Sequence, residues 1–460
     1  MSVSGETANP TRPNGQREVW LNAARSAGSR FFVLGISAVL GIIITRLVIT
    51  NYGEAAYAQY GLLIGIGALI PFADLGISGA IMNAVGASKE PSRDDHVRLI
   101  LISSIRIATC SALVVGLLSC LIYLLGWWDA ILGKGLNPVS GPLTATICLI
   151  LIGLAIPFGI GQRMLSALSK NHLSIALNGL QSPIVLVLLA FTVWIGWSGN
   201  AIAVYPYIAS FTIAVIAALV ASRVVRPAMR RALSDARKLR TVRGGRVFDM
   251  AWPLMIQMIA LPMAMQTDRI VLSHVSSVSD LAQYNMASQI FTPVWALVSA
   301  AGFTLWPVFA SARADSRDVS PVPMALVFGG IALALCAALA LLSPFLVNLA
   351  SDGQVSVSPL IVGSYTIFMV FQGLKYPLGM YMTDPPGMRF QAYMVVLMVP
   401  VNLGLSIYLA GILGAAGPII GSAVGVFLFQ AVANYIYIRR KRSKTPVANG
   451  ANDVTVSVAE

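Results

Sequence analysis

Charge is what this sequence has least of. Asp, Glu, Lys and Arg make up 11% of its 460 residues, where a soluble domain carries roughly a quarter. That deficit excludes a water-facing globular chain of this length. Histidine is scarce too, with His96, His172 and His274 widely separated. The four cysteines, Cys110, Cys120, Cys148 and Cys336, all fall in apolar runs. No metal site and no disulfide framework is expected from them, and the thiols read as small buried hydrophobes. A Walker-type phosphate loop, His/Cys metal spacing and a large polar loop able to hold an active site are also missing. The chain is therefore not expected to be an enzyme or to need a cofactor.

What fills the sequence instead is apolar, at 57% of residues. The runs are each near the ~20 residues that cross a hydrocarbon core of about 30 Å. They show no ten-residue alternation of the kind a β-barrel needs. Lipid offers no partner for a bare N–H or C=O, so the spans must be helices. The expectation is an all-α integral membrane protein of about twelve spans. They fall near 30–50, 57–86, 99–126, 142–166, 173–197, 199–222, 248–273, 281–310, 322–350, 356–382, 389–411 and 415–438. Residues 1–19 are polar, with Pro10, Pro13 and Gly15 and no apolar core. The first span is thus expected to act as its own targeting signal rather than be cleaved.

The net charge of +13 would suit nucleic acid, but its placement argues against that partner. With the N-terminus inside, 26 of the 31 Lys and Arg fall on the inner side, and Lys134 alone falls outside. The remaining four, Arg46, Arg106, Arg269 and Lys375, lie within spans. Such a bias puts both termini in the cytoplasm and requires an even number of spans. The densest basic stretch, 223–247, divides the chain. The expected organisation is a cytoplasmic tail at 1–19, a six-helix lobe at 20–222, a basic linker at 223–247, a second six-helix lobe at 248–440 and a tail at 441–460. Met229, Leu233, Ala236 and Leu239 recur near helical spacing in the linker. It either lies on the anionic inner surface or is a solvated tether. Two lobes of even span number would share one orientation. Arg46 followed by Ala58-Gln59-Tyr60, and Arg269 followed by Ala282-Gln283-Tyr284, repeat at nearly equal spacing in the two.

Ionisable residues inside a span cost roughly 2.5–3.5 kcal/mol each on insertion scales and normally face protein or water. Those here are Arg46, Asp74, Arg106, Asp268, Arg269 and Lys375, with Arg25 and Arg30 near the start of the first span. The excess of cations suits an anion, phosphate above all, because guanidinium binds two oxygens at once. Other roles remain open for each. Arg46 and Arg269 would also reach headgroups at the outer surface, and Arg106 and Lys375 at the inner one. Asp268 would also serve as an ion-pair partner, while Asp74 fits a coupling site, a salt bridge or a helix end. Pro253 and Pro262 mark the seventh span as the best candidate for a bent helix.

Asn22 through Arg25 and Gly28, Asn51-Tyr52-Gly53, Tyr57-Ala58-Gln59-Tyr60 and Asp74-Leu75-Gly76-Ile77-Ser78 resemble the start of polysaccharide flippases. Thr267-Asp268-Arg269-Ile270-Val271, Ala282-Gln283-Tyr284 and Trp306-Pro307 resemble the corresponding later region. The likeness is to the polysaccharide transport (Wzx-like) branch of the multidrug/oligosaccharidyl-lipid/polysaccharide exporter superfamily. It implies two six-helix bundles in a MATE-like V around a central cavity. It also implies alternating access, moving an undecaprenyl-pyrophosphate-linked oligosaccharide between leaflets of a bacterial cytoplasmic membrane for surface polysaccharide assembly. By position, Arg46, Asp268 and Arg269 would lie in or near the cavity and Arg25 and Arg30 at its cytoplasmic mouth. Membrane lipids and a glycan polymerase would be its partners. A cation-coupled multidrug exporter of the same superfamily is the rival reading, and a membrane glycan polymerase or ligase a more distant one.

The charge bias is tested directly by topology. In a cysteine-free background, Lys238→Cys is expected to resist a membrane-impermeant maleimide in intact cells. Labelling from outside would overturn the assignment of the linker to the cytoplasm.

Overall fold

The computed structural model describes residues 13–68, 77, 80, 81, 84, 85, 88, 90–168, 170–238, 267–305, 309 and 319–444. For residues 13–31, 68, 171, 385 and 444 it describes the backbone alone. Regular structure among the described residues is helical throughout, with no strand. That is the outcome lipid imposes on a backbone whose polar groups must satisfy one another.

The first helix, α1 (Pro13–Ala68), is two arms joined at Gly53, whose φ of 83° and ψ of 175° break the helix. The arms fold back on each other. Thr45 Oγ1 and Tyr57 OH both donate to Gln289 Oε1, at 2.7 and 3.3 Å. Twelve residues of straight helix would hold them about 18 Å apart. Next come α2 (Asp95–Leu124), the short α3 (Trp128–Leu132), α4 (Gly141–Ala167), α5 (Asn171–Gly179), α6 (Gln181–Ile195), α7 (Tyr205–Val224) and α8 (Arg226–Ala236). Asp94 caps α2 by accepting from the His96 amide at 2.8 Å, satisfying one of the donors a helix start leaves bare.

The second half of the chain begins with α9, seen from 267 to 275. It continues through α10 (Val278–Phe303), α11 (Val322–Ser351), α12 (Pro359–Tyr381), α13 (Pro385–Leu413), α14 (Ala416–Gly425) and α15 (Ala433–Lys444). A π-helical stretch, Val426–Val432, joins the last two. A capping box of Ser277 and Asp280 starts α10. Asp280 also accepts from the Ala415 amide at 3.3 Å, tying the α13–α14 turn to the start of α10.

Nine stretches of the described residues are long and apolar enough to cross a membrane. The expected second span is described continuously only to residue 68, and the seventh only from 267. The expected tenth, α12, is 23 residues long but is not among the nine. It carries Ser364, Gln372 and Lys375, all buried, and packs against α10, α11 and α14. Enclosed by other helices, it need not be apolar on every side.

Turns alternate between two ends. Gln59, Asn137 and Asn200 hydrogen-bond together at one of them, with Gly135 and Ser273. Arg98–Asp235 and Asp384–Lys441 lie at the other, here the basic end. The two halves of the chain meet where α1 packs on α10 and α11. The stretch expected as a linker contributes α8. Its Ala228, Met229 and Ala232 are buried in the first half's core, while Leu233 is exposed.

Gly53 gives a test of the hairpin. Its backbone region is essentially reserved for glycine, so Gly53→Val is expected to cost about 1–3 kcal/mol. Thermal unfolding in detergent should show it. Gly116→Ala is the control, since a Cβ there meets nothing within 4 Å.

Candidate functional site

A cavity of ≈ 390 Å³ lies at the seam between the halves. Both arms of α1 and the facing parts of α6 and α7 line one side, and Arg269 with α10 lines the other. The second side is built from a polar stripe. Asn285, Ser288, Gln289 and Thr292 fall at i, i+3, i+4 and i+7 of α10, so they share one helix face. Ser37, Thr45, Tyr57, Tyr60, Gln181 and Ser182 answer it from the first half. Among the described lining residues Arg269 alone carries charge.

Glycines let the seam close. A Cβ at Gly61 would sit 2.1 Å from Asn285 Nδ2, and one at Gly65 would sit 2.9 Å from Arg269 Cδ. Spaced four apart, they form the small-residue strip on which membrane helices approach closely. Asn285 Nδ2 donates to the Ala58 carbonyl at 3.4 Å across this contact. Asn285 Oδ1 accepts from Arg269 Nε at 2.9 Å, and Ser288 Oγ lies 3.3 Å from Arg269 Nη2. The Tyr284 ring sits 5.5 Å from the guanidinium carbon. The plane of the guanidinium is therefore fixed by three residues of α10.

Asp268 faces the other way. Adjacent positions on a helix point about 100° apart, and Asp268 is turned into the second half, 3% exposed. Ser422 Oγ and Tyr284 OH donate to its Oδ2 at 3.1 and 3.3 Å, and Ser406 Oγ lies 3.4 Å from Oδ1. Asn402 extends the network to Ser422 at 3.1 Å. Its described hydrogen-bond partners are all neutral hydroxyls, and it is not among the residues that line the cavity.

The remaining expected site residues are dispersed. Arg46 is half-exposed and reaches across the seam to Asp352 Oδ1 at 3.3 Å and the Leu349 carbonyl at 3.5 Å. Arg106 donates to the carbonyls of Asp235, Ala236 and Lys238 at 3.1, 3.0 and 2.9 Å, closing the C-terminal end of α8. That is where a cation complements the helix dipole. Lys375 lines a separate pocket inside the second half. Asp74 lies outside the described residues, as do the side chains of Arg25 and Arg30 and the Trp306-Pro307 pair. The structure thus brings Arg269 to the cavity and does not gather Arg46, Arg106, Lys375 or Asp268 there. The neutral lining of α10 escaped a reading directed at charge, although its helical spacing was visible.

At the end opposite the basic one, the side chains of Ser273 and His274 bond to the backbone of the 130–135 turn. Gly135 N–H donates to Ser273 Oγ at 2.8 Å, Ser273 Oγ meets the Leu132 carbonyl, and His274 Nε2 lies 3.0 Å from the Ala130 carbonyl.

Residues 19–313 match the family described as polysaccharide biosynthesis protein. Among solved structures, the fold resembles an inward-facing multidrug resistance MATE family transporter of the MOP superfamily. The TM-score is 0.64 at 15% identity, covering 92% of this chain and 98% of that one. It also resembles the lipid II flippase MurJ in an inward closed conformation, with a TM-score of 0.58 at 12% identity over 90% and 87% of the two chains. A bent form of the Vibrio cholerae MATE transporter VcmN gives 0.52 at 17% identity over 92% and 99%. No curated protein matches in sequence.

The Arg46–Asp352 pair has a measurable role to lose. With side chains 47% and 57% exposed, it is worth at most about 1 kcal/mol. Arg46→Asp or Asp352→Arg alone is expected to raise maleimide labelling of Thr45→Cys about two- to fivefold. The double reversal should restore the original rate. Unchanged labelling in both single variants would show that the pair does not hold the seam.

Proposed function

Since the chain belongs to the polysaccharide biosynthesis protein family, we propose that it is a flippase for a lipid-linked oligosaccharide. In this reading it carries an undecaprenyl-pyrophosphate-linked glycan from the inner to the outer leaflet of a bacterial cytoplasmic membrane, by alternating access. The fold is that of a multi-pass membrane transporter, and the substrate is inferred from the site. The observation that carries the inference is Arg269, a guanidinium held at the seam in a cavity whose other described lining residues are neutral. A cation in a low-dielectric, water-lined space attracts phosphate far more strongly than one at a wet surface. The amides and hydroxyls around it suit sugar hydroxyls, and the polyprenyl tail would remain in the bilayer.

The charge asymmetry of the loops supports placing the basic end and both termini in the cytoplasm. On that orientation the contacts among Ala130, Leu132, Gly135, Ser273 and His274 close the outer side, with Arg46–Asp352 beside them. Substrate would enter from the cytoplasmic leaflet. Delivery in the outer leaflet would hand the glycan to a polymerase or a comparable assembly protein. A cation-coupled drug exporter is the weaker reading, because a cationic substrate would be repelled by Arg269.

Complementation of surface-glycan export tests this at matched protein levels. Arg269→Lys keeps the charge but loses the bidentate fork, so it should reduce export severalfold, and Arg269→Ala should reduce it by tenfold or more. Near-normal export with Arg269→Ala would remove the cavity's charge from the mechanism.

A further inference from the structure

We propose that the pocket around Lys375 is a second anion site, which takes a phosphate group at the basic end of the second half, apart from the cavity at Arg269. The pocket measures ≈ 190 Å³ and is lined by Lys375, Tyr376, Gln391, Gln430 and Asn434 with aromatic walls that include Phe303. A single water needs only about 15 Å³. Lys375 is 7% exposed, and its ammonium lies 5.4 Å from the Tyr376 ring centroid. Among the described residues no carboxylate pairs with it. Asp384, at the same end, is engaged by Lys441 at 2.7 Å. Snorkelling to water would leave the head of the side chain exposed, and it is buried.

A buried ammonium without a counter-charge is costly, and a pocket that admits an anion removes that cost. Gln391 spends its amide on the Gly379 and Met382 carbonyls, but Asn434 and Gln430 are able to offer donors to one. Asn434 is 3% exposed and its Oδ1 makes no hydrogen bond. Turning its amide over would put an N–H donor in the place of that oxygen. Gln430 Nε2 donates to Met398 Sδ at 3.1 Å, a weak acceptor that an anionic oxygen would displace. Gln430 sits in the π-helical stretch, a distortion that recurs at functional sites. Lysine with side-chain amides, rather than an arginine fork, suits a phosphate bound as a point charge.

The pocket's chemistry does not depend on the flippase reading, which enters only in naming the owners of such a phosphate. They are a phospholipid headgroup, the carrier lipid's pyrophosphate, or the free ion. Inorganic pyrophosphate is the first probe, titrated calorimetrically into protein in phosphatidylcholine nanodiscs. Lys375→Met is expected to weaken a saturable binding event at least tenfold, and Lys375→Arg to stay within threefold of the original. Asn434→Leu, a second variant in case the first fails to fold, should weaken it about threefold. In the second arm, nanodiscs containing phosphatidylglycerol are read by native mass spectrometry. Lys375-dependent retention of that lipid assigns the phosphate to a headgroup. Pyrophosphate binding without such retention assigns it to the carrier or the free ion. No binding by the unaltered protein, or binding lost in Arg269→Gln but kept in Lys375→Met, would overturn the site. Glycan export enters neither arm, so failure of the flippase reading would leave this result standing.

Discussion

The Gly61–Gly65 edge of α1 lies so close to the second half that any larger side chain would collide with Asn285 or Arg269. Close approach of that kind has to be matched by hydrogen bonding, because the groups it brings together are shut off from bulk water. Asn285 meets the requirement on both sides. Its amide nitrogen donates to the Ala58 carbonyl, and its oxygen accepts from Arg269. One residue thereby links the halves and orients the cavity's charge. The rest of the seam follows the same chemistry, with Thr45 and Tyr57 sharing the Gln289 carbonyl. Beside these polar contacts the seam is apolar, since one hydrophobic core runs from Ile44, Val48 and Leu62 of α1 to Leu281, Tyr284 and Phe291 of α10.

The intramembrane charges separate into distinct kinds of use. Arg106 is spent on architecture. It terminates α8, and with the Arg98–Asp235 pair it binds the start of the central basic stretch to the first half. Arg46 spans the seam near solvent, where its pair with Asp352 is weak and easily exchanged for water. Asp268 is satisfied wholly within the second half by hydroxyl groups. Of the described charges Arg269 alone lines the cavity, and Lys375 stands in a pocket of its own.

Much of the fold was legible in the sequence because lipid leaves a chain so few options. Apolar runs of the right length must be helices, and Asn51-Tyr52-Gly53 marks the reversal where the structure turns. The site was legible only in part. Asp268 and Arg269 are neighbours in sequence, and only their helix's neighbours decide which of them faces the seam. The carbonyls that hold Arg106 lie about 130 residues further along the chain, beyond any local pattern. The polar face of α10 obeys helical periodicity, but serine and threonine are common in membrane helices and the stripe carries no charge to draw notice. For α12, composition understates the span, because enclosure by α10, α11 and α14 lets buried polar residues stand where lipid would reject them.

Cys110 and Cys120 face outward from α2, while Cys148 and Cys336 are buried, one in each half of the chain. Ten residues of helix put the outward pair about 15 Å apart, far beyond the reach of a disulfide. No thiol lines the cavity or the Lys375 pocket. The described lining of either site therefore offers no disulfide to make or break. Oxidants that reach it through the bilayer will find exposed thiols on the outer face of α2, and thioether sulfur at the Lys375 pocket in Met380 and Met398.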